Sequence, residues 1–135
     1  MYISETHVRV RYGETDQMGY VYYGNYASYF EVARVESLRQ LGLTYKELEE
    51  MGVMMPVLEN KSKYFSPALY DDLLKIVTTI RIKPSVRIMF EYEIFNAAGK
   101  LIHQGETLLA FVQKDSGRPC RPPEVFQKLL EPYFQ

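Results

Sequence analysis

Residues 12–34 read YGETDQMGYVYYGNYASYFEVAR, and this stretch decides how the rest of the chain folds. It leaves a strand-like segment, turns at Gly19 and enters an apolar helix. Asp16 lies between the strand and the helix, among residues too apolar for an ordinary solvated loop. Unpaired N–H groups at a helix start can hold the oxyanion formed when a carbonyl is attacked. This stretch is therefore a candidate acyl-transfer site.

The helix after the turn is predicted to run from an N-cap at Asn25 to Leu41, because Asn is a common helix cap and Gly42 a common stop. Its first half is apolar nearly all round, so we expect it to be embedded against a sheet. Its charged residues are expected to reach solvent: Arg34, Glu36 and Arg39.

Strands are predicted on both sides of this helix. Alternation over residues 3–12 predicts a strand with Val8, Val10 and Tyr12 on one face. Four more extended segments follow: residues 53–65, with Pro56 indicating an edge or a bulge, then 73–83, 86–94 and 101–114. The inward positions predicted in the two middle segments are Leu74, Ile76, Ile80, Ile82, Val86, Ile88, Phe90, Tyr92 and Ile94.

Two short helices complete the pattern. Thr44 and Glu47 form a capping box that opens one, which Gly52 closes. Apolar spacing over residues 125–130 predicts the other. The order of the predicted helices and strands indicates an α+β fold in one domain, 1–135. We expect a curved antiparallel sheet of about five strands wrapped around one long central helix. Such a sheet leaves an edge or a face open, so we expect at least a dimer.

Composition excludes several classes of function. The chain is 47% hydrophobic and 24% charged with net charge −1, which disfavours disorder and a nucleic-acid partner. Charges interrupt every apolar run, so no integral membrane segment is expected. The single Cys120 and the absence of a signal-peptide pattern favour a cytoplasmic protein. Twelve tyrosines without tryptophan fit an interface, a ligand pocket or a core edge.

The sequence lacks most of the known combinations of catalytic or cofactor-binding residues. The two histidines, His7 and His103, lie near no G-x-S-x-G motif, and Cys120 has no obvious base nearby. No metal-ligand spacing, G-x-G-x-x-G or P-loop is present, so we expect neither metal nor cofactor. A thiol leaving group, with a pKa of about 8.5, departs near neutral pH without a strong acid. Thioesters suit a lone carboxylate with backbone donors.

The run T-D-x-x-G-x-V-Y-Y-x-x-Y followed by F-E-x-A-R, within residues 15–34, resembles the 4-hydroxybenzoyl-CoA thioesterase-like group of hotdog-fold acyl-CoA thioesterases. Later landmarks follow in the order of that family, at residues 52–53, 56–57, 67–68, 70–72, 90–94 and 117–119. The resemblance implies a hotdog fold and an acyl-CoA substrate. It also implies a homodimer, commonly paired into a homotetramer, with the active site at the subunit interface.

The resemblance also implies roles for individual residues. Asp16 matches the family's catalytic aspartate, either as nucleophile or as general base, and the Tyr23 N–H matches its oxyanion donor. Some relatives have histidine at position 23, so we assign Tyr23 only its main-chain N–H. Glu31 is a competing carboxylate, because other hotdog enzymes use a helical glutamate; otherwise it pairs with Arg34.

Two further groups are candidates for substrate binding. Lys83, Ser85 and Arg87 lie around one hairpin where the family often binds CoA phosphates, although a solvated hairpin tip explains them equally. The residues that either line an acyl pocket or pack the helix on the sheet are Tyr20, Tyr22 and Tyr26.

The leading hypothesis is thus an acyl-CoA thioesterase. An acyl-carrier-protein thioesterase and a non-catalytic acyl-CoA-binding protein on the same fold are the alternatives. The acyl group is left open.

Overall fold

A computed structural model describes all 135 residues of the chain. The elements in chain order are β1 (Tyr2–Arg9), α1 (Asn25–Leu41), α2 (Tyr45–Glu50), β2 (Val53–Met54), β3 (Val57–Tyr64), β4 (Leu73–Ile80), β5 (Arg87–Phe95), β6 (Leu101–Ala110), β7 (Val112–Gln113) and α3 (Glu124–Leu130). Five strands form one antiparallel sheet in the order β1-β4-β5-β6-β3, and β2 pairs with β7 in a separate ribbon. The α+β prediction is confirmed.

The long helix α1 packs one face against the sheet. Its buried residues recur every three or four positions: Tyr26, Tyr29, Phe30, Ala33, Arg34, Ser37 and Leu38. The Phe30 ring stacks on Tyr92 of β5, with centroids 4.1 Å apart. This close approach needs Gly105 of β6, since a Cβ there would overlap the Phe30 ring and lie 2.7 Å from Lys61 O. The helix therefore rests directly on β5 and β6.

The predicted span of α1 is confirmed, but the prediction that Asn25 caps the helix is wrong. Gly42 ends the helix at φ 110°, as expected. The N-cap is Gly24, however, and Asn25 is the first helical residue. The Asn25 Nδ2 donates to the Glu14 carbonyl at 2.8 Å, so this side chain ties the helix to the preceding loop instead of capping it.

The expectation that Arg34 reaches solvent is also wrong, since Arg34 is only 6% exposed. Its guanidinium donates to Tyr45 OH at 3.3 Å, Tyr92 OH at 3.1 Å and Thr107 Oγ1 at 3.4 Å. These acceptors come from three elements that are distant in sequence. The opposite face of α1 is open in the single chain and exposes Val32, so the helix is not embedded on all sides.

Alternation is confirmed within the strands and fails at their ends. Four of the predicted inward residues of β5 and three of those of β4 are buried. Tyr12 and Ile82 are 78% and 76% exposed, because β1 ends at Arg9 and β4 at Ile80. Val86 precedes β5 and is also exposed. The predicted edge position is confirmed for β3, which carries a register shift near its start, but the run 53–65 is not one strand, since β2 pairs with β7 in the separate ribbon.

Both short helices form as predicted. Thr44 Oγ1 accepts a hydrogen bond of 3.1 Å from the Glu47 N–H, which opens α2, and Gly52 follows its end at φ 81°. The C-terminal α3 buries Phe126 and Leu130 in the core. No helix of the chain combines the length and the hydropathy needed to cross a bilayer.

Candidate active site

Asp16 lies in a tight turn with one carboxylate oxygen held and the other free. Oδ1 accepts from the Met18 N–H at 2.9 Å and from the Tyr20 N–H at 3.3 Å. The Asp16 N–H donates to Tyr20 O at 2.8 Å, and Gly19 closes the turn at φ 79°. Oδ2 makes no hydrogen bond within the chain. The turn therefore fixes the carboxylate and leaves one oxygen available for chemistry.

The start of α1 supplies free backbone donors. Neither the Tyr23 N–H nor the Gly24 N–H donates a hydrogen bond within the chain, and no side chain caps the helix. The first donor with a partner is the Asn25 N–H, which bonds to Tyr22 O at 2.9 Å. Free amides at a helix N-terminus are the kind of donor that can hold an oxyanion. Sequence reasoning named Tyr23 and missed Gly24.

Glu14 joins the Asp16 turn to the helix start. Its carbonyl oxygen accepts from the Tyr22 N–H at 2.9 Å and from Asn25 Nδ2 at 2.8 Å. Thr15 and Val21 form an antiparallel bridge between the same two segments. Asp16 directly follows Thr15, and Tyr23 directly follows Tyr22. The free carboxylate oxygen and the free amide therefore belong to neighbours of residues that connect the two segments.

The three tyrosines predicted to line an acyl pocket lie in different surroundings. Tyr20 and Tyr22 are partly exposed, and the Tyr22 ring packs on that of Tyr23 with centroids 4.6 Å apart. Tyr26 is 3% exposed and stacks on His103 with centroids 3.9 Å apart. Helix packing thus accounts for Tyr26, whereas Tyr20 and Tyr22 expose ring surface in the segment between Asp16 and α1.

The basic hairpin lies at the other end of the sheet. Lys83 and Ser85 are exposed on the connection between β4 and β5, Arg87 is exposed at the start of β5, and neither Lys83 nor Arg87 forms an ion pair. Arg9, the last residue of β1, lies opposite Leu73, the first residue of β4. The segment that leads from β1 to Asp16 therefore begins at the same end of the sheet as β4. At about 3.4 Å per residue, β4 places its hairpin roughly 24 Å away. One subunit does not bring these residues to Asp16.

Glu31 and His103 are the remaining ionisable groups considered for catalysis. Glu31 is exposed and forms no ion pair with Arg34, so that predicted pair is wrong. His103 is buried, with Nε2 3.0 Å from Ser62 Oγ and Nδ1 without a partner. Burial lowers the pKa of His103 to about 4, so it is neutral at neutral pH. No cluster of three or more His, Cys, Asp or Glu is arranged to bind a metal.

The two main cavities of the single chain lie away from Asp16. One of about 500 Å³ lies on the outer sheet face, among residues that include Lys61, Arg81 and Glu93. The other, of about 350 Å³, lies between α2 and the β2–β7 ribbon. Neither includes Asp16 or Tyr23. A bound acyl group would need cover from elsewhere.

Comparison with known proteins agrees with this architecture. Residues 10–130 match the family described as the thioesterase-like superfamily. The chain is 33% identical over 126 residues to the putative acyl-CoA thioesterase YneP of Bacillus subtilis, covering 93% of this chain and 91% of that protein. It is 32% identical to the acyl-CoA thioester hydrolase YbgC of Escherichia coli, covering 87% of each.

A solved structure is similar over nearly the whole chain. The DHNA-CoA thioesterase of Staphylococcus aureus superposes with a TM-score of 0.86 at 36% identity, covering 99% of this chain and 85% of that one. A 4-hydroxybenzoyl-CoA thioesterase, at 20% identity and a TM-score of 0.85, shows the same fold. Sequence and fold therefore lead to one assignment: the chain is a hotdog-fold member of the thioesterase-like superfamily.

Proposed function

We propose that this protein is an acyl-CoA thioesterase, which hydrolyses an acyl-CoA to a carboxylic acid and CoA. One observation carries the proposal: the free Oδ2 of Asp16 and the free amides of Tyr23 and Gly24 lie on two segments that are bonded to each other. A carboxylate and an oxyanion site are the equipment that thioester hydrolysis requires. The named relatives support the same activity.

Two routes fit this arrangement. In one, Asp16 Oδ2 attacks the thioester carbon, the CoA thiolate leaves, and water then hydrolyses the mixed anhydride. In the other, Asp16 takes a proton from a water that attacks the carbon, and the thiolate again departs. In both, the carbonyl oxygen becomes negative beside the Tyr23 and Gly24 amides. The proposal covers both routes.

We include a homodimer in the proposal, with β3 as its interface. β3 is an edge strand with unpaired backbone groups, and four apolar residues on it or just beyond it are exposed: Val57, Leu58, Tyr64 and Phe65. An apolar edge of this kind is a pairing surface. A two-fold antiparallel pairing reverses the second copy, so its β4–β5 hairpin lies at the Asp16 end of the first. The predicted CoA contacts at Lys83, Ser85 and Arg87 would then come from the second subunit.

The interface has its own test. Leu58→Lys on β3 should shift the protein from dimer to monomer in analytical ultracentrifugation, because a lysine on the paired edge opposes association. Ile3→Lys is the matched control, since Ile3 is equally exposed on the other edge strand, β1. A monomeric wild type would contradict this part of the proposal. A cytoplasmic location is also proposed, supported by the unpaired thiol of Cys120.

Activity is tested by thiol release from a panel of short, long and aromatic acyl-CoA substrates. Asp16→Asn should lower kcat by at least about 10²-fold, with CoA affinity retained in calorimetry. Asp115→Asn, at an exposed turn, is the control. Binding of an acyl-CoA without release by wild type would favour the non-catalytic alternative. Release only from an acyl-carrier-protein thioester would favour the carrier-protein enzyme.

A further inference from the structure

Glu14 is the most extensively bonded carboxylate in the chain. Its side chain is 14% exposed although it ends a short 3₁₀ turn at the surface, Tyr12–Glu14. Oε1 accepts from the Arg11 N–H at 2.8 Å and from the Tyr29 hydroxyl at 2.9 Å. Oε2 accepts from Arg11 Nε at 3.0 Å and from Arg11 Nη2 at 2.8 Å. All of the available oxygens of this side chain are used inside the chain, so Glu14 is not a free acid or base.

The bonds of Glu14 connect the segment that leads into the Asp16 turn with the start of α1. The side chain of Glu14 holds the exit of β1 through Arg11 and the second turn of α1 through Tyr29. Its carbonyl holds Tyr22 and Asn25, which flank the Tyr23 and Gly24 amides. Asp16 follows only two residues later. Bonds to an ionised carboxylate are shorter and about twice as strong as neutral ones, so this link is stiffer than its loop position indicates.

Burial and the neighbouring groups keep Glu14 ionised and the Tyr29 hydroxyl protonated, which are the states that form their hydrogen bond. The Arg11 and Tyr29 donors outweigh the desolvation of Glu14, so the net pKa of its carboxyl is lowered and the group is ionised at neutral pH. Burial and the Glu14 charge raise the pKa of Tyr29, so its hydroxyl keeps its proton. The Tyr29–Glu14 bond is therefore present over the whole neutral range.

We propose that Glu14 is a positioning residue for thioester hydrolysis, which holds the Asp16 carboxylate and the Tyr23 and Gly24 amides in a fixed relation. This inference rests on the proposed function. Catalysis by a base and an oxyanion site on separate segments depends on their spacing, and a displacement of about 1 Å can lower the rate about 10²-fold. Glu14, two residues before Asp16, is bonded to the helix start through its carbonyl, which accepts from Tyr22 and Asn25, and through its side chain, which accepts from Tyr29.

The test compares Glu14→Gln, Glu14→Asp and Tyr29→Phe with wild type in thiol release. Glu14→Gln should lower kcat roughly 10- to 100-fold while KM changes less than about threefold, because geometry and not substrate binding is lost. Glu14→Asp keeps the charge and should recover part of kcat. The double variant Glu14→Gln/Tyr29→Phe should be no slower than Glu14→Gln, since Tyr29 acts through Glu14.

Controls separate positioning from stability and from the proposed function. Glu5→Gln removes an exposed carboxylate with no side-chain bond and should match wild type. If Glu14→Gln keeps the wild-type kcat while Asp16→Asn is inactive, the positioning role is wrong and the proposed function stands. If wild type hydrolyses no thioester, hydrogen exchange decides: amides 16–24 should exchange faster in Glu14→Gln than in wild type, with β4 and β5 unchanged. Equal exchange would overturn the positioning role.

Discussion

The ring of Phe30 lies over Gly105 so closely that no side chain fits at position 105. A Cβ there would overlap the ring and lie 2.7 Å from Lys61 O. This contact sets how near α1 lies to β5 and β6. Since the start of α1 carries the proposed oxyanion donors, core packing and the candidate site are connected through one glycine.

Gly105→Ala should therefore lower the free energy of unfolding by about 1–3 kcal/mol, because the helix must move to relieve the overlap. Urea denaturation measures this change. Gly13→Ala is the control, since nothing lies within 4 Å of a Cβ at that position and its φ is not positive. An unchanged midpoint for Gly105→Ala would show that Phe30 moves aside freely.

His103 should make stability depend on pH. Its pKa is about 6.5 in the unfolded chain and is lowered to about 4 by burial in the folded one. Between these values the unfolded state binds a proton that the folded state does not, so stability is present above pH 6.5 and falls toward pH 4. A shift of this size corresponds to about 3 kcal/mol.

The measurement is urea denaturation of wild type and of His103→Gln at pH 7.0, 5.5 and 4.5. Wild type should lose more stability than His103→Gln across this range, and His7→Gln, which replaces an exposed histidine, is the matched control. Identical pH dependence in wild type and His103→Gln would contradict the assignment.

Arg34 is a buried cation with no carboxylate partner, and only neutral oxygens bond to it. Burial raises the pKa of Tyr92 to about 12, so that hydroxyl carries no compensating charge. Burying an unpaired charge costs free energy, and even a buried ion pair can often be replaced by apolar side chains of similar volume without loss of stability. Arg34→Met should change the free energy of unfolding by less than about 1 kcal/mol.

Tyr92→Phe provides the contrast, because it removes bonds to both Arg34 and Thr107 and should destabilise by about 1–2 kcal/mol. A loss above about 3 kcal/mol in Arg34→Met would instead show that the guanidinium has a charged partner in the assembled protein.

The hairpin at Lys83 and Arg87 is predicted to bind CoA phosphates. The double variant Lys83→Ala/Arg87→Ala should raise KM at least about 10-fold at low salt with kcat nearly unchanged, because each lost charged hydrogen bond weakens binding. The difference should shrink as salt rises. Lys46→Ala/Lys114→Ala removes the same charge from other exposed positions, and an equal effect there would contradict a specific phosphate site.

Local patterns predicted the elements well and their tertiary roles less well. Gly42 and the Thr44 box mark helix ends because their chemistry is local. Alternation does not show where a strand stops, which is why Tyr12 was placed on a strand face with Val8 and Ile82 was predicted inward, although both are exposed. Arg34 was predicted outward because its three hydroxyl acceptors come from α2, β5 and β6, which no local pattern relates.

At the candidate site too, the sequence predicted local features and missed those that depend on the tertiary fold. Asp16 and Tyr23 were named from the motif, and the structure finds a free carboxylate oxygen and a free amide at these positions. Gly24 was missed because an unpaired amide is a property of the fold and not of a residue type. Glu14 was missed because its partner Tyr29 lies 15 residues later on α1, and only the fold brings that hydroxyl to the carboxylate.

The central claim is that Asp16 and the Tyr23 and Gly24 amides act on one thioester carbonyl. A crystal structure of the Asp16→Asn variant with an intact acyl-CoA tests it most directly. We predict the carbonyl oxygen about 3 Å from the Tyr23 or Gly24 nitrogen, with the thioester carbon next to the side chain at position 16. A thioester bound away from the start of α1 would contradict the account.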